Sequence, residues 1–422
     1  MHSSGRLGLL LALLAVQVGS CGKAKVKGKG RPAGIGACDG LQRSELSSFD
    51  RLLERAAELS QARALDAAQG CLQVALGLAV TAQAQAHVRF NLAVIARQGG
   101  DIVGARKTLM QAPKEPLRNW AQAQLFLGIL HSEGGDARTA LKSLARAKKL
   151  SPQDPSVYRE MAQCYYNLGE PASAVHVWED GVINMPASHE GFFNVGLLQR
   201  ELGGAAAERC YKTAIRLLPN NARYRYSYGN LLYDRERLPA AERAYAAALR
   251  LIPTHEDALN NLGNALRQSG RLAGARHTFE RGLEHNPHNT NFLLNAGQVY
   301  QDLGLLEETA RVAEAAFALN PGLIEASILR GSVAYGRGEL QDAITHYRAA
   351  LHVDPTAHQA LLNLANTLGD LYRSKEARMV NQHEDARAEM HALQRESVGV
   401  YERMLALRPD DAEAFLNMFW AR

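Results

Sequence analysis

The chain has 422 residues, a mean hydropathy of −0.24 and a formal net charge of +5. Six of its 48 basic residues and none of its 43 acidic residues fall in the first 32 positions, so the remainder carries 42 basic against 43 acidic residues. A near-neutral body of this kind offers no basic stripe for a phosphate backbone, and no nucleic-acid partner is expected. Five cysteines, Cys21, Cys38, Cys71, Cys164 and Cys210, are too few and too scattered for a disulfide framework and have no metal-ligand spacing.

Residues 1–20 carry Arg6 and then an apolar run from Leu7 to Val18, closed by small residues before Cys21. This reads as a secretory signal peptide, because about a dozen apolar residues are too few for a bilayer span of roughly 20. Val18-Gly19-Ser20-Cys21 also has the form of a lipoprotein cleavage box, in which Cys21 would be acylated and the protein held at a bacterial membrane. Membrane association is expected only in that case; otherwise the protein is secreted or lumenal. Residues 21–45 are rich in glycine and lysine and read as a flexible basic linker. Cys21 and Cys38 flank it and can pair in an oxidising lumen, whereas Cys71, Cys164 and Cys210 are expected as free, mostly buried thiols.

Residues 46–85, with Leu52, Ala56, Leu59, Ala68, Leu72 and Ala75, have the pattern of a helical pair whose repeat has decayed. Beyond it the chain is periodic. Pro152, Pro186, Pro219, Pro253, Pro287, Pro321 and Pro355 recur every 33 or 34 residues. Twelve positions before each proline stands Ala140, Ala174, Ala207, Ala241, Ala275, Thr309 or Ala343, and eight before it a mostly bulky residue, Leu144, Trp178, Tyr211, Tyr245, Phe279, Ala313 or Tyr347. A further small residue, usually glycine, comes twenty-three or twenty-four positions before the proline: Gly128, Ala162, Gly196, Gly229, Gly263, Gly297 and Gly331. Two short helices can cross closely at the small residues while the bulky one fills the space beside them, and the proline ends the second helix. One such pair cannot bury its apolar face, so pairs must stack.

The pattern resembles the tetratricopeptide repeat, most clearly from Ala258-Leu-Asn-Asn-Leu-Gly-Asn-Ala-Leu266 through Ala275, Phe279 and Pro287. The resemblance implies an all-α fold, a right-handed α-solenoid of stacked helix-turn-helix repeats, with nine repeats over 86–409 and a capping helix or truncated repeat at 410–422. It also implies that the first helix of each repeat lines a concave face that binds an extended polypeptide. On that face the expected peptide-binding residues are Asn194, Tyr226, Asn230, Tyr233, Asn261, Asn264, Asn295, Asn363 and Asn366, with Phe193, Tyr226 and Tyr233 as aromatic anchors. An asparagine ladder of this kind resembles the repeat region of O-linked N-acetylglucosamine transferases, whose catalytic domain has no counterpart in these 422 residues. A chaperone-tail clamp would need lysine where Tyr226 and Asn260 stand. The charges expected on the face lean acidic, which favours a neutral or basic peptide as partner.

The interval from Pro355 to Pro409 is 54 residues, with the excess at about 372–391 in a charged, helix-prone stretch. His383-Glu384-Asp385 and His391 within it lack the spacing of a zinc helix. No nucleophile elbow, phosphate loop or dinucleotide fingerprint occurs, and the scattered histidines do not assemble a catalytic group, so neither catalysis nor a cofactor or metal is expected. Two other readings stay open: the repeat arm of a glycosyltransferase, and a membrane-anchored assembly lipoprotein.

Overall fold

The computed structural model describes residues 49–378 and 384–421, and within them every regular element is an α-helix. The signal-peptide and linker readings, together with His383, lie outside the described residues. Two compact units are present, one up to Leu217 and one from Leu218 onward.

In the first unit, helices α1 (Phe49–Gln61) and α2 (Leu65–Leu78) form an initial pair. They are followed by α3 (Ala82–Gln98) with α4 (Ile102–Met110) and the short α5 (Lys114–Arg118), and by α6 (Ala121–Glu133) with α7 (Ala137–Leu150). The unit ends with α8 (Pro155–Asn167) paired to α9 (Pro171–Asn184) and α10 (His189–Glu201) paired to α11 (Ala207–Leu217). The second unit continues the scheme: α12 (Ala222–Asp234) with α13 (Leu238–Leu249), α14 (Glu256–Gln268) with α15 (Leu272–His285), α16 (Thr290–Asp302) with α17 (Leu306–Leu319), and α18 (Ile324–Gly336) with α19 (Leu340–Val353). The last pair, α20 (His358–Arg378) and α21 (Glu384–Leu407), runs to 21 and 24 residues against 13 and 14 in the pair before it. Helix α22 (Ala412–Ala421) follows. The first helix of a pair is termed A below and the second B.

The sequence explains where these helices begin and end. Asn221, His255 and Asn289 stand just before A helices, and each accepts a backbone N–H of the first turn. Most A helices of the periodic region are followed by a left-handed residue that turns the chain into B; Gly203, Gly270, Gly304 and Gly338 hold that position, and Glu236, at φ 56°, holds it without a glycine's freedom.

Each unit is an α-solenoid in which packing follows the periodic small and large residues. Ala207, Ala241, Ala275 and Ala343 are fully buried, and Tyr211, Tyr245, Phe279 and Tyr347 lie in the core beside them. An added Cβ on Gly229 would come within 2.6 Å of the Tyr245 ring, which is why no larger residue fits there. Within unit 2 one apolar cluster runs from Ala222 to Ala326 and a second from Ala334 to Met418.

Cys71 departs from expectation. Instead of a free thiol it is disulfide-bonded. Cys164 and Cys210 are free and buried, and burial pushes both thiols above their ordinary range, away from reactivity.

Candidate functional site

The A helices α12, α14 and α16 of the second unit place most of the expected binding residues side by side. Their side chains interact across repeats. Tyr226 on α12 and Asn260 on α14 occupy equivalent positions, and each bonds the asparagine one repeat onward. Asn261 Nδ2 donates to the Tyr226 hydroxyl at 3.3 Å, and Asn295 Nδ2 donates to Asn260 Oδ1 at 2.7 Å. Asn261 Nδ2 also donates to Asn230 Oδ1 at 3.0 Å, and the same oxygen accepts from the buried Tyr245 hydroxyl at 2.8 Å. Both Asn261 amide protons are therefore engaged, while Asn230 Nδ2 and Asn295 Oδ1 have no hydrogen-bond partner among the described residues.

Next to this network, Tyr233, Asn264, Arg267, Gln268 and Asp302 line an open cleft of about 460 Å³. Arg267 donates to Asp302 at 2.6 Å and to Gln298 at 2.7 Å, so the charges at the cleft wall are mutually neutralised. Asn264 makes no polar contact among the described residues. Its donor and acceptor both remain available beside the half-buried Tyr233 ring.

The other expected residues lie apart from this group. Asn194 is half-buried on α10 in the first unit. Asn363 and Asn366 are on α20, where Asn363 Oδ1 accepts from Gln359 and Asn366 Oδ1 accepts from the Tyr401 hydroxyl at 2.6 Å. Phe193 is corrected: it is 2% exposed, a core residue rather than an anchor. Its ring lies 5.9 Å from that of Tyr211, just as Tyr226 lies 6.0 Å from Tyr245, because this position of the A helix stands over the bulky residue of its own B helix. Tyr226 has a hydroxyl that extends past that contact to Asn261, and phenylalanine does not.

Ion pairs also connect successive A helices. Arg97 donates to Glu133 at 2.5 Å and Arg159 to Glu190 at 2.5 Å. In the second unit the Tyr335 hydroxyl donates to Asp370 at 2.5 Å, and that hydrogen bond, followed by burial, pushes the phenol up to about 12. Three carboxylates of the A helices, Glu133, Glu190 and Asp302, thus spend their charge within the face. Among the described residues no group of three His, Cys, Asp or Glu side chains could hold a metal ion.

Family models for the tetratricopeptide repeat match residues 197–256, 232–292 and 328–378. The helical pairs within those stretches match the tetratricopeptide repeat. The whole cross-bonded asparagine group, apart from Asn295, falls inside the matched stretches. No curated protein sequence matches this chain. Among solved structures, MamA is 22% identical, over 40% of this chain and 92% of its own, at a TM-score of 0.37. The C-terminal part of a tetratricopeptide-containing protein from Cytophaga hutchinsonii is 18% identical, over 57% of this chain and 99% of its own, at 0.48. YrrB, a tetratricopeptide protein with an unusual peptide-binding site, is 23% identical, over 50% of this chain and 97% of its own, at 0.37. At these values each shares repeat architecture alone.

Proposed function

We propose that the protein is a secreted or lumenal interaction scaffold that takes an extended polypeptide along the A helices α12, α14 and α16. The observation that carries this reading is the cleft at Asn264. A tyrosine face, an amide with no internal partner and the unspent Asn230 Nδ2 and Asn295 Oδ1 lie in one line of repeats. Amides of this kind hydrogen-bond a peptide backbone whatever its side chains, and the tyrosine supplies apolar area at low entropic cost. Because Arg267 and Asp302 neutralise each other, the cleft favours a neutral partner. Asp257 and Glu325, for which no ion pair is found among the described residues, extend that preference to weakly basic segments. The disulfide at Cys71 supports the secretory assignment, since such bonds are rare in reducing compartments.

The test uses three extended peptide pools, acidic, neutral and basic, each carrying a photo-reactive group and offered to the full chain. Cross-links from the neutral and basic pools concentrated on residues 226–302 are expected. Cross-links spread evenly along the repeats, or dominated by the acidic pool, would refute the assignment.

A further inference from the structure

The near-neutral total conceals an uneven distribution. In the second unit the B helices α13, α15, α17 and α19 carry five cations against seven carboxylates. In the first unit α4 and α7 carry Arg106, Lys107, Arg138, Lys142, Arg146, Lys148 and Lys149 and no carboxylate at all. Lys148 is spent on Asp180 of α9. Lys107, Arg138, Lys142, Arg146 and Lys149 are exposed and have no carboxylate partner among the described residues. The acids that flank these helices along the chain, Asp101, Asp136 and Asp154, accept first-turn backbone N–H groups of α4, α7 and α8, and a hydrogen bond from Thr139 holds Asp136 below the ordinary carboxylate range. Arg106 Nη1 lies 3.3 Å from where a Cβ on Gly134 would stand, in the turn that leads into α7, which sets α4 beside the start of α7.

Charge alone would suit any polyanion; the apolar residues between the cations narrow the choice. Val103, Lys107 and Met110 follow one another at i, i+4 and i+7, a single outer stripe of α4, with Val103 67% and Met110 60% exposed. On α7, Leu150 is exposed next to Lys149. Aliphatic side chains level with lysines on a helix suit the boundary between headgroups and acyl chains, where the cations meet anionic lipid and the aliphatics leave water. Nucleic acid uses the cations and leaves Val103 and Met110 in water, and a purely acidic peptide does the same.

We propose that the B-helix face of the first unit, formed by α4 and α7, docks on an anionic lipid surface. This is independent of the peptide site, which belongs to A helices of the other unit.

The experiment is co-sedimentation of the full chain with phosphatidylserine-containing vesicles and with pure phosphatidylcholine vesicles. Binding to the former only is expected, weakening as salt is added. Each cation brought to such a surface contributes about a fivefold gain in affinity, so Lys142→Glu with Lys149→Glu should lower binding by at least about tenfold. Val103→Ser with Met110→Ser should lower it by about threefold or more, with the melting curve unchanged in both double variants. Equal binding to the two vesicle types would overturn the proposal, as would a Lys142/Lys149 variant that binds like the parent, which would assign attraction to the basic residues before position 32. A Val103/Met110 variant that retains full binding, together with competition by duplex DNA, would reassign the face to polyanions in general.

Discussion

The first and second units use one framework for different chemistry on their A helices. In the first, successive A helices are joined by arginine–carboxylate pairs, Arg97 to Glu133 and Arg159 to Glu190; in the second, α14 and α16 keep one such pair, Arg267 to Asp302, but beside it α12, α14 and α16 are joined by amides and a phenol around Asn230, Asn260, Asn261 and Asn295. Ion pairs satisfy both partners and leave little to offer a neutral peptide. A carboxamide has a donor and an acceptor, so it can join two repeats with one and present the other. A scaffold that must grip polypeptide backbone is therefore better served by the second arrangement, and the unpartnered Asn264 lies within it.

The common framework can be stressed first. Alanine in place of a helical glycine gains about 1 kcal/mol of helix propensity, while overpacking costs about 1–3 kcal/mol. At Gly196 the added Cβ would sit 3.1 Å from the Tyr211 ring, and at Gly229 it would sit 2.6 Å from that of Tyr245. Gly229→Ala is therefore expected to destabilise by about 1–2 kcal/mol and Gly196→Ala to be near neutral, read by urea unfolding. Equal effects would mean that the glycine–ring distance does not set the cost of the added methyl. The connections between repeats come next. Asn261→Ala removes bonds to Asn230 and Tyr226 and should cost about 1–2 kcal/mol whatever the salt. Arg97→Gln breaks a half-exposed ion pair and should cost about 0.5–1 kcal/mol, shrinking as salt rises. A salt-sensitive loss at Asn261 would dissolve the distinction between the units.

Smaller effects sharpen it. Glu236 holds the left-handed turn position that glycine holds in neighbouring repeats, so Glu236→Gly should stabilise by up to about 1 kcal/mol in the same assay. Tyr335 keeps its proton longer when folded, with a pKa raised from 10.0 to about 12. Its contribution to stability is complete below pH 10 and is lost as the pH rises through about 12. Tyr401 is likewise pushed up to about 12, mainly by burial. Ultraviolet titration should show one tyrosine fewer ionising near that value in Tyr335→Phe than in the parent.

Much of the fold was legible because it is written seven times over. The prolines, the fully buried alanines and the bulky residues beside them recur at one spacing, and packing at one pair predicts packing at the next. The site was legible only in part. Counting positions brought Asn230, Asn261, Asn264 and Asn295 to one surface, but which amides spend their bonds on each other depends on how neighbouring repeats abut. Phe193 shows the same limit: its helical position is that of Tyr226, and only the Tyr211 ring beside it determines that a phenylalanine is covered. The basic face of α4 and α7 escaped because charges were summed over the whole chain; summed helix by helix, the same residues reveal it.

The central claim is that polypeptide is held at the Asn264 cleft, and the most direct test is titration calorimetry of a neutral peptide selected on the full chain, against the parent and the Asn264→Ala and Tyr233→Ala variants. Because Asn264 bonds to nothing within the described residues, its loss should leave the melting temperature unchanged while weakening the peptide by about tenfold, and Tyr233→Ala should do at least as much. Parent-like affinity in both variants would contradict the account.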